Sequence, residues 1–343
     1  MATESPKPKR KRRWFRFSLR TFVVVLTVFC VWLGLLVYRV NKQREAVQWV
    51  QDQGGRILYE YQFDDEQHKS IDDAEPPGPD WLRELIGIDY FADVVFVYCG
   101  NTEVEDLGPL RELAQLQSLD LFVSTRVSNL SPLRELTQLQ RLDLRGTRVL
   151  DIEPLRDLTR LRDLWLTDTP VSDLTPLAKL TSLKTLSLDN TPVSDLSPLA
   201  KLTSLQGLEL NLTQVSDLSA LAKLTSLAWL RLDNTPVSDL SPLAKLTSLA
   251  SLDLDNTRVS DLSPLAKLTS LERLVLTGTR FSDLSPLAKL TSLRILYLDN
   301  TQVSDLTPLA KLTSLDFLNL DNTRVSDLTP LENLTSLVVL LLN

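Results

Sequence analysis

Histidine, cysteine and methionine are nearly missing: the 343 residues include one His (His68), two Cys (Cys30 and Cys99) and one Met. The shortage removes the usual zinc ligand sets, Cys-His pairs and Ser-His-Asp constellations, so no catalytic residue and no metal ligand is assigned and no cofactor is expected. The two cysteines stand far apart, one inside an apolar run and one at a core-periodic position. They read as small buried hydrophobes and not as a disulfide framework. Positive charge is also scarce outside one segment. The net charge is -7, yet residues 1–20 hold eight Lys or Arg against Glu4 alone, so the remainder is markedly acidic. An acidic body cannot draw affinity from phosphate neutralisation, which excludes a nucleic-acid groove along it.

What the chain does have begins with an uninterrupted apolar run, TFVVVLTVFCVWLGLLVY, residues 21–38, bounded by Arg20 and Arg39. Eighteen residues make about 27 Å of helix, near the lower limit for crossing a bilayer. No small-x-small cleavage site follows, because Tyr38, Arg39, Val40 and Asn41 fill that region; an uncleaved signal anchor is expected. The heavier positive charge precedes the span, so residues 1–20 form a basic cytoplasmic arm and the C-terminal body is extracytoplasmic. The run KRKRR, 9–13, is then a topogenic and lipid-headgroup patch.

Between membrane and body, residues 39–63 read as a stalk helix that continues the span to Gln53 and a strand over 56–63. Residues 64–79 form an acidic, Pro-rich loop in which His68 is solvated. A short helix within 80–90, started by Asp80, is expected to cover the open end of the unit that follows.

From residue 91 to 343 the chain repeats itself. Thr125, Thr147, Thr169 and their successors to Thr323 recur every 22 residues, while Thr102 precedes them by 23, which assigns an extra residue to 119–125. Around Thr191 the apolar positions Leu180, Leu183, Leu186, Leu188, Val193, Leu196 and Leu199 give LxxLxxLxLxxTxVxxLxxL. Leu186 and Leu188 are the inward residues of a short strand, and stacked copies make a parallel sheet about 50 Å long. Ser197 followed by Pro198 reads as an N-cap and first helical residue of a single return turn. Aspartates recur in two columns, the Asp195 series and the Asp189 series. The first suits turn capping; the second, on a turn edge, lacks the Gly-rich spacing of a calcium loop.

This pattern resembles the leucine-rich repeat family, and most closely the 22-residue class of bacterial internalin-like proteins. The resemblance implies an α/β solenoid, a curved parallel β-sheet with short helical or 3-10 turns on its convex side, here preceded by a single transmembrane helix. In that family an asparagine usually stands where Thr191 and its equivalents stand; threonine is a shorter-reaching substitute, and Asn190, Asn234, Asn256, Asn300 and Asn322 are expected to share its task. The segments FSLRTFVVVLTVFCVWLG, QREAVQWVQDQGG and PPGPDWLRELIG resemble the start of membrane-anchored repeat proteins from the planctomycete lineage. Such kinship implies an anchor in the bacterial cytoplasmic membrane, N-terminus inside and repeats outside. It supplies no substrate.

Function should therefore sit where the units differ. The outward strand positions change from unit to unit, and Trp165, Trp229, Arg231, Arg273, Val275, Ile295, Tyr297 and Phe317 are the candidate ligand-binding residues on the concave face. The expectation is a membrane-anchored binding scaffold, not an enzyme, whose partner is a protein or an envelope polymer; the alternative is a structural spacer without a specific ligand. The final strand, TSLVVLLLN, carries Val338 and Val339 on its outward side, an edge suited to self-association.

Overall fold

The computed structural model describes residues 19–64, 69–71 and 73–343. The first eighteen residues of the basic arm and His68 lie outside that set. A single helix, α1 (Leu19–Asp52), opens the structure and carries the apolar run into the stalk without a break. Its two halves meet different surroundings. The first half is exposed through Leu35, whereas Val40, Gln43, Ala46, Val47 and Val50 are buried, Ala46, Val47 and Val50 in a common core with the repeats. Gly54 and Gly55 end it, and Gly55 is there for space: a Cβ would lie 2.6 Å from the Tyr98 carbonyl.

After α1 come β1 (Arg56–Tyr59), a 3-10 turn at Glu60–Gln62, and a small antiparallel pair, β2 (Phe63–Asp64) with β3 (Lys69–Ser70). The strand anticipated over 56–63 thus stops at Tyr59. Then follow α2 (Asp80–Ile86) and β4 (Val94–Tyr98), with β1 antiparallel to β4. Every later strand adds in parallel, so the described residues form a 13-stranded sheet in which all strands after β1 follow chain order. Trp229, Leu230 and Arg231 pair with Ser251, Leu252 and Asp253, one repeat on, and the other units are alike. Register is set because each inner leucine must stay inside: a one-residue slip would turn Leu230 and its equivalents to water.

The repeats leave one continuous core. Leu180, Leu183, Leu186, Leu188, Val193, Leu196 and Leu199 are at most 2% exposed, and the same positions are buried in the units on either side. A 3-10 turn, Ser197–Lys201 in this unit, returns the chain to the next strand. Serine is not its cap. The Ser197 N–H donates to the Asp195 carboxylate at 2.8 Å, and Ser197 Oγ donates to the same group at 2.9 Å. Aspartate fills this role because its oxygen reaches the orphan N–H two residues on while its charge stays in solvent.

Three other expectations need correction. The helix assigned to cover the first unit, α2, buries none of its residues; the second half of α1 does so, with Ala46, Val47 and Val50 in the common core. A seven-residue helix has too little apolar face to close a solenoid end that a long amphipathic helix already occupies. Ser124, fully buried, takes the slot assigned to Thr125, which is exposed; the extra residue falls after Ser124. The asparagines serve backbone shape first. Asn190, Asn234, Asn256, Asn300 and Asn322 all have φ between 53° and 57°, the left-handed turn that asparagine tolerates best after glycine. Threonine satisfies its own unit: Thr191 Oγ1 donates to the Leu188 carbonyl at 2.6 Å, and Thr147 through Thr323 do the same at 2.5–2.7 Å.

Candidate binding face

Each three-residue strand turns its central leucine inward, leaving its first and third side chains on the strand face. Strand pairing places those side chains in two rows running along the stack. Trp229, Ser251, Arg273, Ile295 and Phe317 are successive members of one row; Arg231, Asp253, Val275, Tyr297 and Asn319 follow in the other. Neighbours in a row come from residues 22 apart in sequence and stand about 4.8 Å apart in space. The repeat length is thus what gathers the variable positions into a surface.

Seven of the eight anticipated residues reach that surface, and six of them share one region. Arg231 stands between Glu209, at 3.7 Å, and Asp253, at 3.5 Å. Asp253 also accepts from Arg273 at 3.2 Å. The Arg273 guanidinium lies over the Tyr297 ring, 5.3 Å from its centroid, and Tyr297 packs on Phe317 with centroids 4.7 Å apart. An unbroken relay of charge, cation–π and ring contacts therefore links Glu209 to Phe317 across six consecutive units. Val275 is the exception: it occupies the correct row but is only 3% exposed, so it packs beneath its neighbours. Trp165 is set apart from the group by the strand bearing Thr185 and Ser187 and the strand bearing Gly207 and Glu209.

Two residues that determine this geometry were not anticipated. Asp253, 8% exposed at its side chain, holds both arginines and fixes the spacing of their planes. Gly207 lets the Trp229 indole lie down along the sheet, since a Cβ there would come within 1.9 Å of the ring. The available sequence signal was a glycine beside a tryptophan at the equivalent slot one repeat away. Reading it required the register.

Beside these rows runs a third column, two positions beyond the strands. Asp189, Asn211, Asp233 and Asp255 each accept the backbone N–H of the next unit, at 2.8–3.2 Å. Half-burial pushes the carboxyls of Asp189, Asp233 and Asp255 upward from the ordinary range; Asp233, with Asp255 and Asp253 nearby, is raised to about 6. Among the described residues no group of three or more His, Cys, Asp or Glu is disposed to hold a metal ion. Cys99 is buried, and desolvation with the neighbouring Asp120 pushes its thiol up to about 12, which makes it inert; Cys30 lies exposed on α1.

The comparisons agree with this geometry. Residues 137–179, 181–223, 225–267 and 269–311 match the family model described as leucine-rich repeats in two copies, together half of the chain. Among solved structures, an internalin, InlF, from Listeria monocytogenes is 34% identical with a TM-score of 0.70, over 76% of this chain and 80% of that one. A leucine-rich repeat protein of Leptospira interrogans is 19% identical with a TM-score of 0.58, over 68% and 74%. Among curated proteins none matches. With a 22-residue unit, a parallel sheet of leucine-centred strands and 3-10 returns, the chain belongs to the leucine-rich repeat family in its internalin-like form.

Proposed function

We propose that this protein is a membrane-tethered, extracytoplasmic scaffold that binds a protein or envelope polymer on its strand face, between Gly207 and Phe317. An internalin-like leucine-rich repeat fold is suited to protein binding. The observation that carries the assignment to this region is the relay from Arg231 through Asp253, Arg273 and Tyr297 to Phe317. Aromatic rings and guanidinium planes held rigid by one another lose little entropy on docking and present both apolar and polar edges. Because Asp253 and Glu209 already neutralise the arginines, the surface favours a neutral or mixed ligand over a polyanion.

Support for the tether comes from α1. Its first half exposes an apolar run long enough to cross a bilayer, and leaving that run in water would be costly. The helix continues unbroken past Tyr38, and Val40 is 3% exposed beside the segment Asp89–Asp93. A peptidase needs an extended segment at that point, so the unbroken helix favours a retained anchor over a cleaved signal. With eight basic residues before the span, the repeats face away from the cytoplasm.

Crosslinking capture from intact cells tests the face. Wild type is compared with a chain carrying Trp229→Ala, Arg231→Ala and Tyr297→Ala, after circular dichroism establishes that both fold. Loss of one or more captured species from the triple variant is expected. Equal capture by both would sink this face as the site, and capture of nothing by either would favour the spacer reading.

A further inference from the structure

The short helix α2 leaves its apolar side open. Trp81 is 66% exposed and Leu85, four residues on and so on the same helix face, is 73% exposed. Contacts at its two ends relate α2 to α1. Near its N-terminus, Gly78 lies so close to the Phe91 ring that a Cβ there would come within 2.8 Å of it, and Phe91 shares a cleft with Leu36 and Arg39 of α1. At its C-terminus, the Arg44 guanidinium donates to the Ile86 carbonyl, and just beyond it pairs with Asp89 at 3.2 Å. Leu36 and Arg44 are separated by about 12 Å of helix, and seven residues of α2 occupy about 10 Å. The chain on either side of α2 is therefore tied to the Leu36–Arg44 stretch of α1, which begins where the apolar run ends.

The mounting is stiff. Asp89 accepts from Gln43 at 3.0 Å and from the Tyr59 hydroxyl at 3.0 Å as well as from Arg44, and Asp93 pairs with Arg39 at 2.7 Å. Height above the bilayer is thus set for α2 by α1.

We propose that α2 is a second membrane contact, with Trp81 and Leu85 seated in the headgroup–acyl boundary of the leaflet that α1 leaves. This rests on the reading of α1 as a membrane span. A lipid surface is the occupant because the segment bearing the open face is tied to α1 where its lipid-facing run ends, and because an indole beside aliphatic carbon is what that boundary takes up. One helix alone would let the repeats turn about its axis. A second foot on one side of α1 removes that rotation and gives the strand face a constant direction relative to the membrane.

The test uses the full chain in phosphatidylcholine–phosphatidylglycerol vesicles, with Cys30→Ser so that buried Cys99 is the sole native thiol. Single labels of an environment-sensitive dye are placed through Trp81→Cys, Phe29→Cys or Leu212→Cys, and vesicles carry nitroxide lipids of shallow or deep position. Expected are strong shallow quenching at position 81, deep quenching at 29 and none at 212. If position 81 matches 212 while 29 is quenched, α2 is no membrane contact although the span stands. If 29 is unquenched as well, both readings fall.

Discussion

The same residue type lines both edges of several coils, with opposite electrostatics. On the turn side Asp217, Asp239 and Asp261 each accept an N–H two residues away; solvent is open to them, and serine hydroxyls with that N–H hold their carboxyls below the ordinary range. Beside the strands Asp189, Asp233 and Asp255 each accept an N–H 22 residues away, and burial pushes them up. One column is a set of independent local caps. The other is a chain of contacts between units, where hydrogen bonds do not offset desolvation and like charge.

Substituting Leu232 would disturb both edges most, because it is fully buried between them and its carbonyl accepts the Thr235 hydroxyl. Leu232→Ala should cost about 2–5 kcal/mol in stability, measured by denaturant melts, with faster amide exchange in the strand and the following turn alike. Exchange accelerated on one side only would show that the two edges fold separately.

Asp233→Asn isolates the inter-unit column. Asparagine keeps the oxygen that accepts the Asp255 N–H, as Asn211 does for Asp233. With a carboxyl raised from 3.8 to about 6, the folded state binds the proton more tightly, so the stability it lends is complete below pH 3.8 and lost as pH rises through 6. The variant should gain about 1 kcal/mol at pH 7, once screening of this half-open site is allowed for, and nothing at pH 3.5. A gain that persists at pH 3.5 would contradict a desolvated carboxylate.

Leu212→Asn tests the bend between the columns without charge. Leu212 holds φ 58° where the other units, apart from Val123, place asparagine, aspartate or glycine. Relief of that strain should raise stability by up to about 1 kcal/mol, seen as a higher melting temperature. The smallest effect, of opposite pH sign, belongs to Asp239→Ala. Its lowered carboxyl contributes above pH 3.8 and loses that contribution as pH falls through the folded value, so melting should drop slightly at pH 7 and converge with wild type in acid.

Much of this was legible before any coordinates. Leucine spacing predicts which residues are inside, and the changing strand positions point to a surface, because a solenoid repeats its backbone environment as faithfully as its sequence. The cap was misplaced since the amphipathic half of α1 is masked by the apolar run joined to it; Ala46, Val47 and Val50 make sense only beside the first repeats. Val275 looked free for the same reason: exposure depends on the side chains one unit away, not on its own strand.

From its own order of residues this protein determines its unit, its strand register and the list of variable positions, since period and inward leucines leave one way to stack. Tertiary structure alone decided which variable side chains meet. Trp229 lies over Gly207, Asp253 clamps Arg231 and Arg273, and Arg44 of α1 holds the end of α2 because packing between units and against α1 sets distances that sequence separation does not encode.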